Sequence, residues 1–272
     1  MITYLKRGYH RRVRPLFDRK VSYKMNEKTH GQPFIVLVTN LCFEGCFSCS
    51  SKSDKNIDPY VMPLRELDIF LKNMDGYLPE KPVRLSGGEP TTVGSEVLWS
   101  YAKTVKKHKR RLEILTNGYG LLSVDVNVFD RIILDEHISN QDRIKQIRRH
   151  LLKLKHRNWI IYPMHYHQDI NTMINNSVTD GPKCREWMNS ITLTGGVVYP
   201  CCMLSLLETW IPPEDITKDL IEAGYTYDNP DLPELLTNWK EHIPTSVYKR
   251  CLLTCWRHEG QKKSKWYPTH DT

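Results

Sequence analysis

Phe34-Ile-Val-Leu-Val-Thr39 runs into Asn40-Leu41-Cys42-Phe-Glu-Gly-Cys46-Phe-Ser-Cys49. An uninterrupted apolar and β-branched run of this length is the pattern of a strand buried on both faces, and it ends just before three closely spaced thiols. Downstream, Pro63 at a first helical position and apolar Leu64, Leu67, Ile69, Phe70 and Leu71 predict a helix over 63–74. Val83 to Ser86 reads as a second strand, closed by Gly87-Gly88-Glu89-Pro90. Ser95 to Arg110 reads as a helix whose last turn collects Lys106, Lys107, Lys109 and Arg110, favourable at a negative dipole end. Leu112 to Leu115 is a third strand ending in the turn signal Thr116-Asn117-Gly118. Arg131 to Leu134 is a fourth and Trp159 to Tyr162 a fifth. Between them Gln141 to Lys155 is an amphipathic helix, with Ile144, Ile147, Leu151 and Leu154 on one face.

Strands alternating with helices imply a parallel sheet with right-handed crossovers. Residues 34 to about 170 are too few for a closed eight-fold barrel, which takes about 250. The expected fold is therefore α/β, a partial (β/α)5–6 open barrel. From Cys184 onward helices thin out and the last five cysteines appear, which predicts a small C-terminal cysteine-rich domain. The expected division is a leader over 1–33, the barrel over 34–175 and the appended domain over 176–272.

The 272 residues are 40% hydrophobic and 26% charged, with a formal net charge of +8, a globular composition that excludes disorder and collagen-like repeats. Most of the excess charge lies in residues 1–33, where nine Lys or Arg face Asp18 and Glu27. That segment reads either as an electrostatic arm for an anionic partner, nucleic acid included, or as a solvated leader. No window approaches the roughly 18 consecutive apolar residues of a membrane helix, and the basic start lacks an apolar stretch of signal-peptide length. A soluble, cytoplasmic chain with no membrane partner is expected, and its thiols are then reduced.

Eight cysteines stand at 42, 46, 49, 184, 201, 202, 251 and 255. Reduced thiols at short spacing are more often metal ligands or catalytic groups than bridges. Three thiolates in eight residues leave a metal one ligand short. A zinc site would need a fourth ligand brought in by the fold, whereas three cysteines on a [4Fe–4S] cube would leave one iron open to a small molecule.

CxxxCxxC after the first strand, GGEP after the second and TNG after the third, in that order, resemble the radical S-adenosylmethionine (AdoMet) superfamily. All three lie at C-terminal ends of parallel strands, where such folds build active sites. The resemblance implies that Cys42, Cys46 and Cys49 hold a site-differentiated [4Fe–4S] cluster whose open iron chelates AdoMet. The sulfonium is then reductively cleaved to a 5′-deoxyadenosyl radical. It also implies that Ser86, Gly87, Gly88, Glu89 and Pro90 hold the methionine end and that Thr116 and Asn117 face the ribose. Gly87 and Gly88 lack a Cβ and let a ligand approach the backbone, and Glu89 can accept from an ammonium group. The residue before the third family cysteine, usually aromatic, is Ser48 here, with Phe47 one place earlier.

Cys184, eleven residues, Gly196, four residues and Cys201 match the opening of the SPASM and Twitch extensions of that family. Thr194 to Pro200 reads as a hairpin turn running into a strand. With Cys251 and Cys255 the resemblance implies an auxiliary [4Fe–4S] cluster of the Twitch type, which could accept an electron from a substrate radical. Four-thiolate zinc has the same spacing. Cys201 and Cys202 compete for ligand and spare; the motif spacing chooses Cys201. Cys202 is then either a hydrogen-atom donor, which would make the enzyme an epimerase, or a small buried hydrophobe.

The resemblance implies a dehydrogenase or epimerase acting on a small molecule such as a sugar or aminocyclitol alcohol, an anionic one included. A flavodoxin or ferredoxin would supply electrons. Peptide or nucleotide modification by the same chemistry is the nearest alternative, and a zinc-stabilised nucleic-acid-binding protein is an alternative of another class. His165 and His167, Arg185 and the Glu136-His137 pair are further candidates for proton transfer or binding.

Overall fold

The computed structural model describes residues 33–44, 49, 53, 59–163, 191–200, 205 and 224–242. Five parallel strands, β1 (Phe34–Thr39), β2 (Val83–Gly87), β3 (Leu112–Thr116), β4 (Arg131–Glu136) and β5 (Trp159–Pro163), alternate with helices α1 (Leu64–Asn73), α2 (Ser95–Lys107) and α3 (Gln141–Lys153). After the fifth strand come β6 (Thr192–Thr194), β7 (Val197–Tyr199), β8 (Tyr225–Thr226) and α4 (Leu232–His242). The sheet has eight strands in the order β5-β4-β3-β2-β1-β6-β7-β8 and is open.

β6 lies not beyond β5 but against the free side of β1, parallel to it, with Ile35 opposite Thr192. β7 returns antiparallel across the Gly195-Gly196 turn, where both glycines have positive φ, and β8 adds a further antiparallel strand. The expected hairpin is thus present, and it extends the sheet past β1.

One face of the sheet and three helices make the core. Phe34, Val36 and Val38 of β1, Val83 and Leu85 of β2, Leu112 and Ile114 of β3, and Ile132 and Leu134 of β4 are buried with Leu67, Phe70 and Leu71 of α1, Leu98 and Val105 of α2, and Ile144, Ile147 and Leu151 of α3. These strand residues alternate with those on the other face because successive side chains point to opposite sides. The other face carries Ile35, Leu37, Arg84, Ser86, Glu113, Leu115, Arg131 and Asp135, most of them only partly buried.

Two helix ends differ from the sequence reading. Pro63 flanks α1 in an extended conformation instead of opening it. α2 stops at Lys107, and Arg110 turns inward, where its guanidinium donates to the carbonyls of Met74, Tyr77, Leu78 and Lys81 and stacks on the Phe34 ring. It therefore satisfies carbonyls after α1 that no helical N–H reaches. Among the described residues no helix is long and apolar enough to cross a membrane.

Candidate functional site

β1, β2 and β3 end side by side, so the segments leaving them share one rim of the sheet. The cysteine loop is closed at its base: Tyr60 N–H donates to Asn40 Oδ1 at 2.7 Å and Met62 N–H to Val38 O at 2.9 Å. The residues after β2 lie against the residues after β1, with Gly88 N–H on Thr39 O at 2.6 Å and Glu89 N–H on Leu41 O at 2.8 Å. A Cβ on Gly88 would stand 2.2 Å from Leu41 O, and one on Gly87, whose φ is +120°, 2.4 Å from Thr39 O. Both glycines are thus required by the approach of the chain's own backbone, a stronger demand than the ligand clearance expected of them.

Glu89 is fully buried, and its carboxylate is enclosed by donors. Oε1 accepts from Thr91 N, Thr91 Oγ1 and Thr116 Oγ1 at 3.1, 2.6 and 2.6 Å, and Oε2 accepts from Asn117 N at 2.7 Å. Burial pushes its pKa above the ordinary carboxylate range, and these hydrogen bonds work against that. In this arrangement Glu89 clamps the end of β2 to the end of β3. Only Oε2 keeps acceptor capacity for the ammonium group expected there. Pro90 opens a single 3-10 turn over Pro90–Val93 that Glu89 caps, and Ser86 sits opposite Leu37 on the sheet face away from the helix-covered core, the inner face.

Asn117 points back to the first strand. Its Nδ2 donates to Cys42 Sγ at 3.6 Å, and its Oδ1 accepts from Tyr119 N at 2.9 Å. Cys42 Sγ also accepts from Glu44 N at 3.5 Å. Glu44 in turn accepts from Ser139 Oγ and, at 2.7 Å, from Arg143 Nη1. Burial alone would raise the Glu44 pKa, but these two hydrogen bonds and the Arg143 charge hold it below the ordinary value. The cysteine loop is so tied to α3 and to the exit of β3. Asn140, buried, closes the rim further by donating to Asn117 O and Asp135 O.

The Cys42 sulfur fits a metal-bound thiolate. It has two N–H donors, and burial, then the charges of Glu89, Cys49 and Glu44, raise the pKa of the free thiol. A thiolate there calls for a cation, which a coordinated metal would supply. Cys42 and Cys49 are described, whereas Cys46 lies outside the described residues; among those described no group of three or more His, Cys, Asp or Glu gathers as a metal site. Cys184, Cys201, Cys202, Cys251, Cys255, His165, His167 and Arg185 also lie outside the described residues.

Four site residues were missed by sequence reasoning. Arg84, Glu113 and Arg131 stand opposite one another across β2, β3 and β4 on the inner face. Arg84 donates from Nε and Nη2 to Glu113 Oε2 at 3.0 and 2.7 Å, and Arg131 Nη1 lies 3.7 Å from Glu113 Oε1. Higher on β4, burial and the nearby Glu89 charge push Asp135 up to about 7, against Arg84. The available signal was a charged residue at alternate positions of otherwise apolar strands, as in Val83-Arg84-Leu85 and Leu112-Glu113-Ile114. A surface groove of about 490 Å³ between α2 and Val124–Val128 is lined by Glu96, Trp99 and Asp125 and by none of the motif residues.

The fold is similar to that of solved structures that hold AdoMet. No protein-family model matches the chain, and no curated protein is similar to it in sequence. Among solved structures it is similar to BtrN in complex with AdoMet and 2-DOIA, with 14% identity and a TM-score of 0.55 over 88% of this chain and 98% of that one. It is also similar to anSMEcpe with bound AdoMet and the Cp18Cys peptide, with 11% identity and a TM-score of 0.50 over 83% of this chain and 88% of that one.

Proposed function

We propose that the chain is a radical AdoMet enzyme acting on a small molecule. Cys42, Cys46 and Cys49 would hold the [4Fe–4S] cluster, and Ser86 to Pro90, Thr116 and Asn117 would receive AdoMet at the ends of β1, β2 and β3. Cluster and AdoMet together would supply reductive cleavage to a 5′-deoxyadenosyl radical that takes a hydrogen atom from an unactivated C–H bond. The observation that carries this reading is the Asn117 Nδ2 to Cys42 Sγ contact of 3.6 Å, which joins the third motif to the first while Glu89 joins it to the second.

The chain's own residues bind and orient. Asn117 and the Glu44 N–H aim the Cys42 sulfur, the Glu44–Arg143 pair steadies the loop, and Glu89 fixes the spacing of the β2 and β3 ends. A small substrate is favoured by a partly exposed inner face that leads down from this rim. BtrN, whose structure holds 2-DOIA beside AdoMet, is matched over nearly its whole length. The reaction is then oxidation of a secondary alcohol or epimerisation, with electrons from a flavodoxin or ferredoxin.

Cys184, Cys201, Cys251 and Cys255 would hold an auxiliary [4Fe–4S] cluster. The β6–β7 hairpin, which ends at Tyr199 just ahead of Cys201, is in keeping with that extension. Cys202 would donate the hydrogen atom in an epimerase. Anaerobic iron–sulfur reconstitution tests the reading: about eight irons per chain are expected from two four-iron cubes, with dithionite-dependent release of 5′-deoxyadenosine that Cys42→Ala abolishes. A chain that binds zinc and releases none would overturn it. Four irons would remove the auxiliary cluster, and loss of turnover in Cys202→Ala would mark the epimerase.

A further inference from the structure

On the sheet's inner face two guanidinium groups, those of Arg84 and Arg131, share the Glu113 carboxylate. Arg84 spends two of its five N–H donors on a single oxygen of Glu113. Among the described residues the Arg131 guanidinium has no hydrogen-bond partner: its ion-pair contact with Glu113 Oε1 is 3.7 Å long, and its buried Nε is left unmade. The Arg131 side chain is only 18% exposed and that of Glu113 7%. A partly desolvated cation without hydrogen bonds is costly, and so is a buried donor left unmade. Glu113 Oε2 is already engaged by Arg84, so Arg131 shares that carboxylate at longer range and keeps guanidinium donors in a planar fork, the geometry that recognises a carboxylate or phosphate through two parallel bonds.

We propose that Arg131, with Arg84 beside it, forms an anion-binding subsite on the inner face that holds a carboxylate or phosphate group of the substrate. Arg131 and Asp135 lie on the same face of β4, four residues or roughly 13 Å apart along the strand. Asp135 is at the rim beside the motifs and Arg131 is at the far end. The substrate thus carries its anionic group remote from the carbon that faces the motifs, and the guanidinium pair sets which carbon is presented. Arg131 is a binding and positioning residue here. That the anion belongs to the substrate rests on the radical AdoMet reading; that the site takes an anion does not.

Phenylglyoxal modification of the full-length protein tests this without altering the fold. Arg131 labels readily in sodium chloride, and inorganic phosphate or acetate at equal ionic strength protects it, whereas Arg110, which holds four carbonyls, is insensitive to the anion. Protection by phosphate alone, or by acetate alone, identifies the substrate's anionic group. Titration calorimetry with the protecting anion supplies the second arm: Arg131→Gln weakens binding about ten- to hundred-fold, the loss expected for charge-assisted hydrogen bonds, and Arg131→Lys falls between. Equal labelling of Arg131 in chloride, phosphate and acetate overturns the proposal and leaves the ladder a purely structural ion network. If anion protection persists while no 5′-deoxyadenosine forms, the radical reading fails and the subsite stands.

Discussion

Asn117 Nδ2 donates to Cys42 Sγ across 75 positions of sequence. The same side chain accepts from Tyr119 N–H through its oxygen, so its orientation is set from both ends. Asn117→Ala removes one of the two N–H groups on the sulfur and is expected to cost about 1–2 kcal/mol. Iron release to a chelator from the reconstituted protein should accelerate, while secondary structure by circular dichroism is unchanged. Equal release rates in both proteins would refute the link.

Glu89→Gln leaves the shape of the clamp and reverses half of its chemistry. The glutamine NH₂ must face either the Asn117 N–H or the two threonine hydroxyls, all of which now donate to a carboxylate. Unfolding in urea should show a loss of about 1–3 kcal/mol, and AdoMet binding should weaken with it. A stability unchanged within error would show that the four donors find other partners.

Gly88→Ala places a methyl group 2.2 Å from the Leu41 carbonyl oxygen. The obstacle is backbone, and it leads directly into Cys42. The expected cost exceeds ~3 kcal/mol, with failure to take up iron at the first cluster. Gly76→Ala, where nothing lies within 4 Å of the added Cβ although φ is positive, is the milder comparison. Iron content and melting temperature of the two variants check the difference.

Asp135 gives stability a sign with pH. Its folded carboxyl keeps the proton up to about pH 7, well above the ordinary 3.8. Between those values the folded state binds more protons than the unfolded one, so this group's contribution to stability falls as pH rises through the window. Asp135→Asn cannot ionise. Its melting temperature should match the parent near pH 5 and exceed it at pH 8; a difference independent of pH would contradict the assignment.

The strands and helices through Pro163 were legible because each short apolar run is bounded by a turn signal and each helix carries a single apolar stripe. The end of α2 was not, since Lys106, Lys107, Lys109 and Arg110 look alike in sequence and only packing tells that Arg110 turns inward to four carbonyls. The placement of β6 on β1 was invisible for a different reason. Ile191 to Thr194 pairs with a strand far away in the chain, and no local pattern reports a distant partner. At the rim the motifs located the right residues, but their duties differ in kind: Gly87 and Gly88 accommodate the chain itself, and Glu89 spends most of its oxygens on Thr91, Thr116 and Asn117. Arg131 escaped notice because one arginine at the start of an apolar strand has no distinguishing signature until its buried Nε is seen without a hydrogen bond among the described residues.

The position of β1 between β2 and β6 bears on biosynthesis. As the polypeptide leaves the ribosome, the strand that launches the thiol loop can fill one hydrogen-bonding side early, but the other stays bare until Thr192 has emerged. A fragment ending at Pro163 would retain every residue of the three motifs and still display an open ladder that invites pairing between molecules. The later strands and the thiol loop are therefore one folding unit: losing the residues around Thr192 would leave bare the strand that launches the loop.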